Sequence, residues 1–299
     1  MGLDGDPPEK IPRLSEDYER IRLKRSCEFV TEYSDDIFKY WLIREKKQVR
    51  FHYLEEGITE MNETHRFIAV KALFQIHRNM HMSDYDSASE VLSLAIKLQD
   101  LFYMTNPNAD IKSMFLVSLA SHSVADKAIG MFFRTNSIEY YELFSDRRYD
   151  YQMIYQMEIN ILNSINFETI LVTGSEIMRR AHAHIMINDK TKVLARYILE
   201  VIQLFYEFIV EYESRITAAA QYIANKYSKI PWNEAMQKYF GYKEKEVVSL
   251  AFKINSRLVD WKAPKEAILR FGDDDQLYIK QHKFRPWNIK RTKKETSTS

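Results

Sequence analysis

Apolar residues in this chain return every three or four positions over almost its whole length, and that spacing restricts it to packed helices. The clearest stretch is 151–167, where Ile154, Met157, Ile161, Leu162 and Ile165 form one stripe with a single carboxylate, Glu158, beside it. Alternation of period two is scarce. The 299 residues include only seven Gly and seven Pro, so few positions break a helix. The fold class expected is all-α, and the length suits two domains, each burying its own core. The 151–167 helix should end near Asn166, before Thr173-Gly174 opens a second helical series. That makes this segment the hinge between two halves.

Lys plus Arg (43) and Asp plus Glu (42) nearly cancel. With no global field to steer the body to an anionic surface, neither nucleic acid nor membrane is expected as a partner. The single cysteine, Cys27, excludes an intramolecular disulfide, and no apolar run reaches the roughly 18 residues a bilayer span needs. The first residues lack a signal-peptide pattern, so an intracellular protein is expected. Residues 1–15 hold three prolines and two glycines and read as a flexible tail. Gly2 would suit myristoylation, but Asp6 stands where that motif needs Ser or Thr. Residues 280–299 carry seven Lys or Arg against one Glu. Lys290 to Lys294 there reads either as a nuclear import signal or as a nonspecific basic tail.

The chemistry-bearing residues do not assemble into a catalytic pattern. There is no Gly-rich phosphate loop, and neither Cys nor Ser stands in a nucleophile motif. His77 and His81 lie one helical turn apart and His182 and His184 are close, but the Glu of a zinc-protease helix is missing and one cysteine cannot complete a structural site. Core-satisfied or solvated histidines are expected, with no metal and no cofactor.

Ser89 to Met104 carries Glu90, Leu92, Leu94-Ala95-Ile96-Lys97-Leu98 and Asp100-Leu101, which resemble the second helix of a cyclin box almost position for position. Met157-Glu158, Ile161-Leu162 and Asn166-Phe167 resemble the last helix of the first box in mitotic cyclins. Tyr33 to Tyr40, on a face with Phe29, Ile37 and Trp41, resembles the lead-in helix of B-type cyclins. The helix from Thr64 to His81 follows, with Ser83-Asp84 suited to cap the next one. Asp110 to His122 offers the small residues Ser113, Ser118, Ala120 and Ser121 of a central helix. Ile177-Met178-Arg179-Arg180-Ala181-His182 is similar to the opening of the second box. Leu194 to Ile198, Ala218 to Ala220, Trp232 to Phe240 and Lys243 to Trp261 continue the series, so the resemblance spans about 28–285 in order.

The chain is thus identified as a divergent member of the B-type cyclin family, which implies two tandem five-helix cyclin boxes with an N-terminal lead-in helix. The implied organisation is a tail over 1–27, the lead-in helix and connection over 28–60, a first box over 61–170, a second over 171–270, and an extension with a basic tail over 271–299. The family implies a non-catalytic regulatory subunit that binds and activates a cyclin-dependent kinase in cell-cycle control, in nucleus and cytoplasm, with other cell-cycle proteins as further partners. Glu158, Leu162 and Phe167 match the kinase-binding positions of the fifth helix. On the third helix the family's Lys is His122 and its second acid is Ala125, which argues for weakened or altered pairing. In the groove that docks Arg-x-Leu peptides, Ile68 is kept while His65, Ala69 and Ala72 replace a Met, a Leu and a Trp, so ordinary substrate docking is expected to be lost. Lys71 replaces an Asp, so Arg66 needs another carboxylate. Arg20-Ile-Arg-Leu23 fits a short destruction box. The reading from a different class is a kinase-independent interaction or scaffold protein that keeps a degenerate cyclin fold. A helical transcription factor is disfavoured by the near-neutral body.

Overall fold

The computed structural model describes residues 33, 35–48, 50–54, 59–80, 85–129, 137–259, 261–262, 264–269 and 271–287. The tail with Gly2 and Asp6, the Arg20 to Leu23 string, Cys27, Phe29, His81, the Ser83-Asp84 pair and the Lys290 to Lys294 cluster lie outside these residues. The chain divides into two compact units, Met1–Leu42 and Ile43–Ser299. In the first, residues 35–42 are helical, and Tyr33, Ile37 and Tyr40 of the expected apolar face are exposed.

In the second unit every regular element among the described residues is helical. The first set is α1 (Glu63–Met80), α2 (Tyr85–Thr105), α3 (Met114–Ile129), α4 (Ile138–Phe144) and α5 (Tyr151–Ser164). The second is α6 (Gly174–His184), α7 (Asp189–Ile202), α8 (Glu213–Ser228), α9 (Glu234–Phe240) and α10 (Glu244–Val259), followed by α11 (Lys265–Leu269) and α12 (Asp273–Gln281). Local chemistry sets many of the starts, because the first N–H groups of a helix need acceptors. Asp150 accepts from the Met153 N–H for α5, Asn188 from Thr191 for α7 and Asn233 from Met236 for α9. Thr173 and Glu176 form a reciprocal capping box that opens α6 where the sequence placed the second helical series.

The third helix of each set is its centre: α3 packs against α1, α2, α4 and α5, and α8 against α6, α7, α9 and α10. Small side chains allow this crowding. Ser118, Ala120 and Ser121 on α3 and Ala218, Ala219 and Ala220 on α8 are wholly buried. Buried apolar residues from Tyr53 to Ile279 form one continuous cluster through both sets, and polar ties cross between the sets. Lys97 on α2 donates to the Val172 carbonyl and pairs with Glu213 on α8 at 3.3 Å, and Arg179 on α6 pairs with Glu90 on α2. From the far end, Gln75 on α1 donates to Glu266 on α11 at 3.1 Å.

The carboxylate that Arg66 needs is Asp100. Arg66 Nε and Nη2 each donate to it at 2.8 Å, in the two-pronged geometry that guanidinium and carboxylate share. Tyr53 donates to the same carboxylate at 2.7 Å, and Arg66 also reaches the Leu204 carbonyl. Burial opposes the guanidinium charge, yet Asp100 outweighs that and holds it protonated. Burial and the Asp100 charge push the Tyr53 phenol well above its usual range.

Candidate functional site

α5 presents two faces. Ile154 and Ile161 are buried, whereas Tyr151 and Tyr155 stand more than half exposed. Glu158 sits between these faces and is 4% exposed. A carboxylate so placed needs a partner, and Lys127 from the last turn of α3 supplies it, with its ammonium 2.7 Å from both Glu158 oxygens. Leu162, one turn further, is half-buried against the core.

α5 then stops abruptly. Asn166 (φ 51°) and Phe167 (φ 59°) both adopt the left-handed conformation, and the Phe167 N–H closes back on the Leu162 carbonyl at 2.8 Å. Asn tolerates this region, but a bulky aromatic adopts it at a cost, so the backbone at Phe167 is strained. Its ring is 64% exposed. The next residue, Glu168, is held by Arg44.

Two of the expected contact positions are corrected. His122 and Ala125 are wholly buried and lie in the core rather than on a docking surface. His122 bridges His77 and the Tyr141 hydroxyl, at 3.0 and 2.9 Å. The cation that meets Glu158 is Lys127, which the sequence reading missed. α3 runs two turns beyond His122, and a signal existed: no Gly or Pro interrupts the chain between Asp110 and Gly130.

The four groove positions on α1 do not act as one surface. Ile68 is 47% exposed, and His65 and Ala72 are half-buried. Ala69 is buried beneath α3, whose Ser118 hydroxyl donates to the Ala69 carbonyl at 3.4 Å. His65 also serves the start of its own helix, where its N–H donates to the Asn62 side chain at 3.0 Å. The His182 and His184 pair is structural too. His182 donates to Gln221 at 2.7 Å, and burial first, then the Arg196 and Lys192 charges, lower it to about 4. His184 stacks on Tyr239 with centroids 4.8 Å apart. Among the described residues no group of three or more His, Cys, Asp or Glu is placed to hold a metal, and no helix is long and apolar enough to cross a membrane.

Comparison with known proteins matches residues 36–170 to the cyclin N-terminal domain and residues 165–270 to the cyclin C-terminal domain. The chain belongs to the cyclin family. Its relatives include the G2/mitotic-specific cyclin-B of Spisula solidissima, 26% identical over 263 residues that cover 87% of this cyclin and 59% of the relative. The G2/mitotic-specific cyclin-B2 of Homo sapiens is 27% identical over 260 residues, covering 84% and 61%. This cyclin therefore spans about three-fifths of the length of these two curated relatives. Among solved structures, a viral cyclin from herpesvirus saimiri superposes with a TM-score of 0.61 at 12% identity, covering 81% of this chain and 99% of that one. The likeness is to the fold. Cyclins are regulatory subunits, not catalysts.

Proposed function

We propose that this cyclin binds and activates a cyclin-dependent protein kinase in cell-cycle control, and that the kinase docks on the face formed by Lys127, Glu158, Leu162 and Phe167. The observation that carries this reading is the Lys127 clamp on Glu158. An ionised carboxylate has about four lone-pair positions, so Glu158 keeps acceptor capacity after Lys127 is satisfied. Beside it, an aromatic ring held in solvent on strained backbone is a feature that packing alone does not require. The ion pair sets docking register, while Leu162 and Phe167 supply apolar contact.

The test is co-purification of the full chain with a panel of purified cyclin-dependent kinases, read by both capture and kinase activity. Glu158→Ala is expected to weaken capture by at least tenfold, and Leu162→Ala with Phe167→Ala to abolish it. Equal capture by wild type and all these variants would overturn the reading. It would favour a kinase-independent interaction protein that keeps a degenerate cyclin fold, a role that Ala72 supports. We also place the protein in nucleus and cytoplasm, which imaging of a fluorescent fusion checks.

A further inference from the structure

After α12 the segment 282–287 crosses α8 and α10 without regular structure. None of its side chains is buried: Lys283, Arg285 and Pro286 are exposed, and His282, Phe284 and Trp287 are half-buried. Among the described residues, 283–287 make no backbone-to-backbone hydrogen bond. Two side chains of the helical body hold the main chain instead. The Arg285 N–H donates to the Tyr227 hydroxyl of α8 at 2.7 Å, and the Asn255 amide of α10 donates to the Arg285 carbonyl at 2.9 Å. Tyr227 has one proton to give, and the Asn255 amide oxygen takes it at 2.9 Å, nearer than the Arg285 carbonyl at 3.2 Å. Three bonds thus close a ring that satisfies both polar groups of one peptide residue. Asn255 is wholly buried, so its amide loses a needed acceptor whenever no main chain lies there.

The residues around Arg285 suit that ring. A residue before proline is confined to extended backbone, and the proline itself has no N–H to satisfy. Phe284 stands edge-on to Tyr227 with centroids 5.6 Å apart. Trp287 packs on Tyr222 at 6.2 Å and on Tyr227 at 6.4 Å, and the Lys226 ammonium lies 5.6 Å from the centre of its ring. The exposed Arg285 side chain makes its identity immaterial to the ring. What the surface reads is an extended Phe-x-Pro-Trp pattern, by main-chain bonds at one residue and aromatic contact on both sides of it, as proline-containing peptides are bound elsewhere.

We propose that this face of α8 and α10 is a docking site for an extended Phe-x-Pro-Trp peptide of a partner protein, with the chain's own 284–287 as the resident that the partner displaces. A resident tethered to its site competes at an effective concentration of about a millimolar, so the site is guarded rather than open. The site shares no residue with the Lys127 and Glu158 face and does not rest on the kinase reading.

The test uses the full chain carrying Phe284→Ala and Trp287→Ala, which strips the resident of its rings and leaves Tyr227 and Asn255 in place. The probe is the fluorescein-labelled peptide Gln-His-Lys-Phe-Arg-Pro-Trp-Asn, followed by fluorescence anisotropy. It is expected to bind this variant about tenfold or more tighter than wild type, whose own segment competes. Adding Asn255→Ala is expected to weaken that binding about tenfold, whereas alanine in place of the peptide's arginine changes it less than about twofold. Binding no better than that of a scrambled peptide, or an unchanged affinity with Asn255→Ala, overturns the proposal. If the double variant does not fold, wild type labelled with fluorotryptophan gives the second measurement. Its Trp287 fluorine signal, assigned with Trp287→Phe, is expected to shift as the unlabelled peptide is added to several millimolar, and a signal that stays in place overturns the proposal. A concentration-dependent dimer in sedimentation that Asn255→Ala dissolves would put a second copy's segment in the site and overturn displacement by a partner.

Discussion

His122 shows how far one side chain can stand from the role its place in the sequence suggests. Read as a weakened docking cation, it would gain from replacement by lysine; in the core it bridges His77 and Tyr141. His122→Lys is therefore expected to destabilise the chain by about 3 kcal/mol or more, since an ammonium there is buried among groups arranged for a ring that both donates and accepts. Urea denaturation checks this. His182 carries a second expectation, in pH. Its folded value lies at about 4, below the ordinary 6.5, so the unfolded chain binds the extra proton between these values. Its contribution is fully present above about pH 6.5 and is lost as pH falls toward 4. The loss amounts to roughly 2 kcal/mol once partial exposure is allowed for. Comparing the stability of wild type and His182→Gln at pH 7.5 and 5 isolates this contribution, and the variant is expected to show the shallower fall. Glu158 and Arg66 were legible as charged groups on apolar helix faces. Lys127 and Asp100 as their partners were not, because helical period gives the face of a residue and not which neighbouring helix meets it.

Helix packing sharpens the same limit. The central helices α3 and α8 were legible because their small residues mark close helix packing, and α6 because the Thr173-Gly174 pair marks a helix start. What the sequence did not reveal is why position 174 is glycine. A Cβ there would lie 2.8 Å from Thr217 Oγ1 and 3.0 Å from Leu199 Cδ1, with Glu213 Oε2 at 3.2 Å. The start of α6 therefore wedges between α7 and α8, and its N–H donates to Glu213. Gly174→Ala is expected to cost about 1–3 kcal/mol, because neither the Thr217 side chain nor the packed leucine can withdraw without breaking other contacts. A lowered thermal midpoint would show it. α4 was the least regular stretch in the sequence, and its seven residues bury only Tyr141. Too short to display a period, it nonetheless supplies the Tyr141 hydroxyl that meets His122 in the core.

At the scale of the molecule, the contact between the two helical sets has a direct consequence for unfolding. The apolar cluster runs unbroken through both helical sets, and the buried Arg66 joins Asp100 on α2 to the Leu204 carbonyl after α7. Far-ultraviolet circular dichroism and tryptophan fluorescence are expected to report one coincident transition in denaturant. Two separated transitions would show that the sets fold independently. The Lys127 and Glu158 pair has its own consequence for how a partner approaches. The pair closes within the chain, so an incoming protein meets a patch already neutralised on a body with a formal charge of only +1. Little charge is then left for dissolved ions to screen. Raising salt from about 0.05 to 0.5 M is expected to alter the association rate less than tenfold, where complexes steered by opposed fields slow far more. Stopped-flow mixing across that range reads it directly: encounter here is governed by fit rather than by long-range attraction.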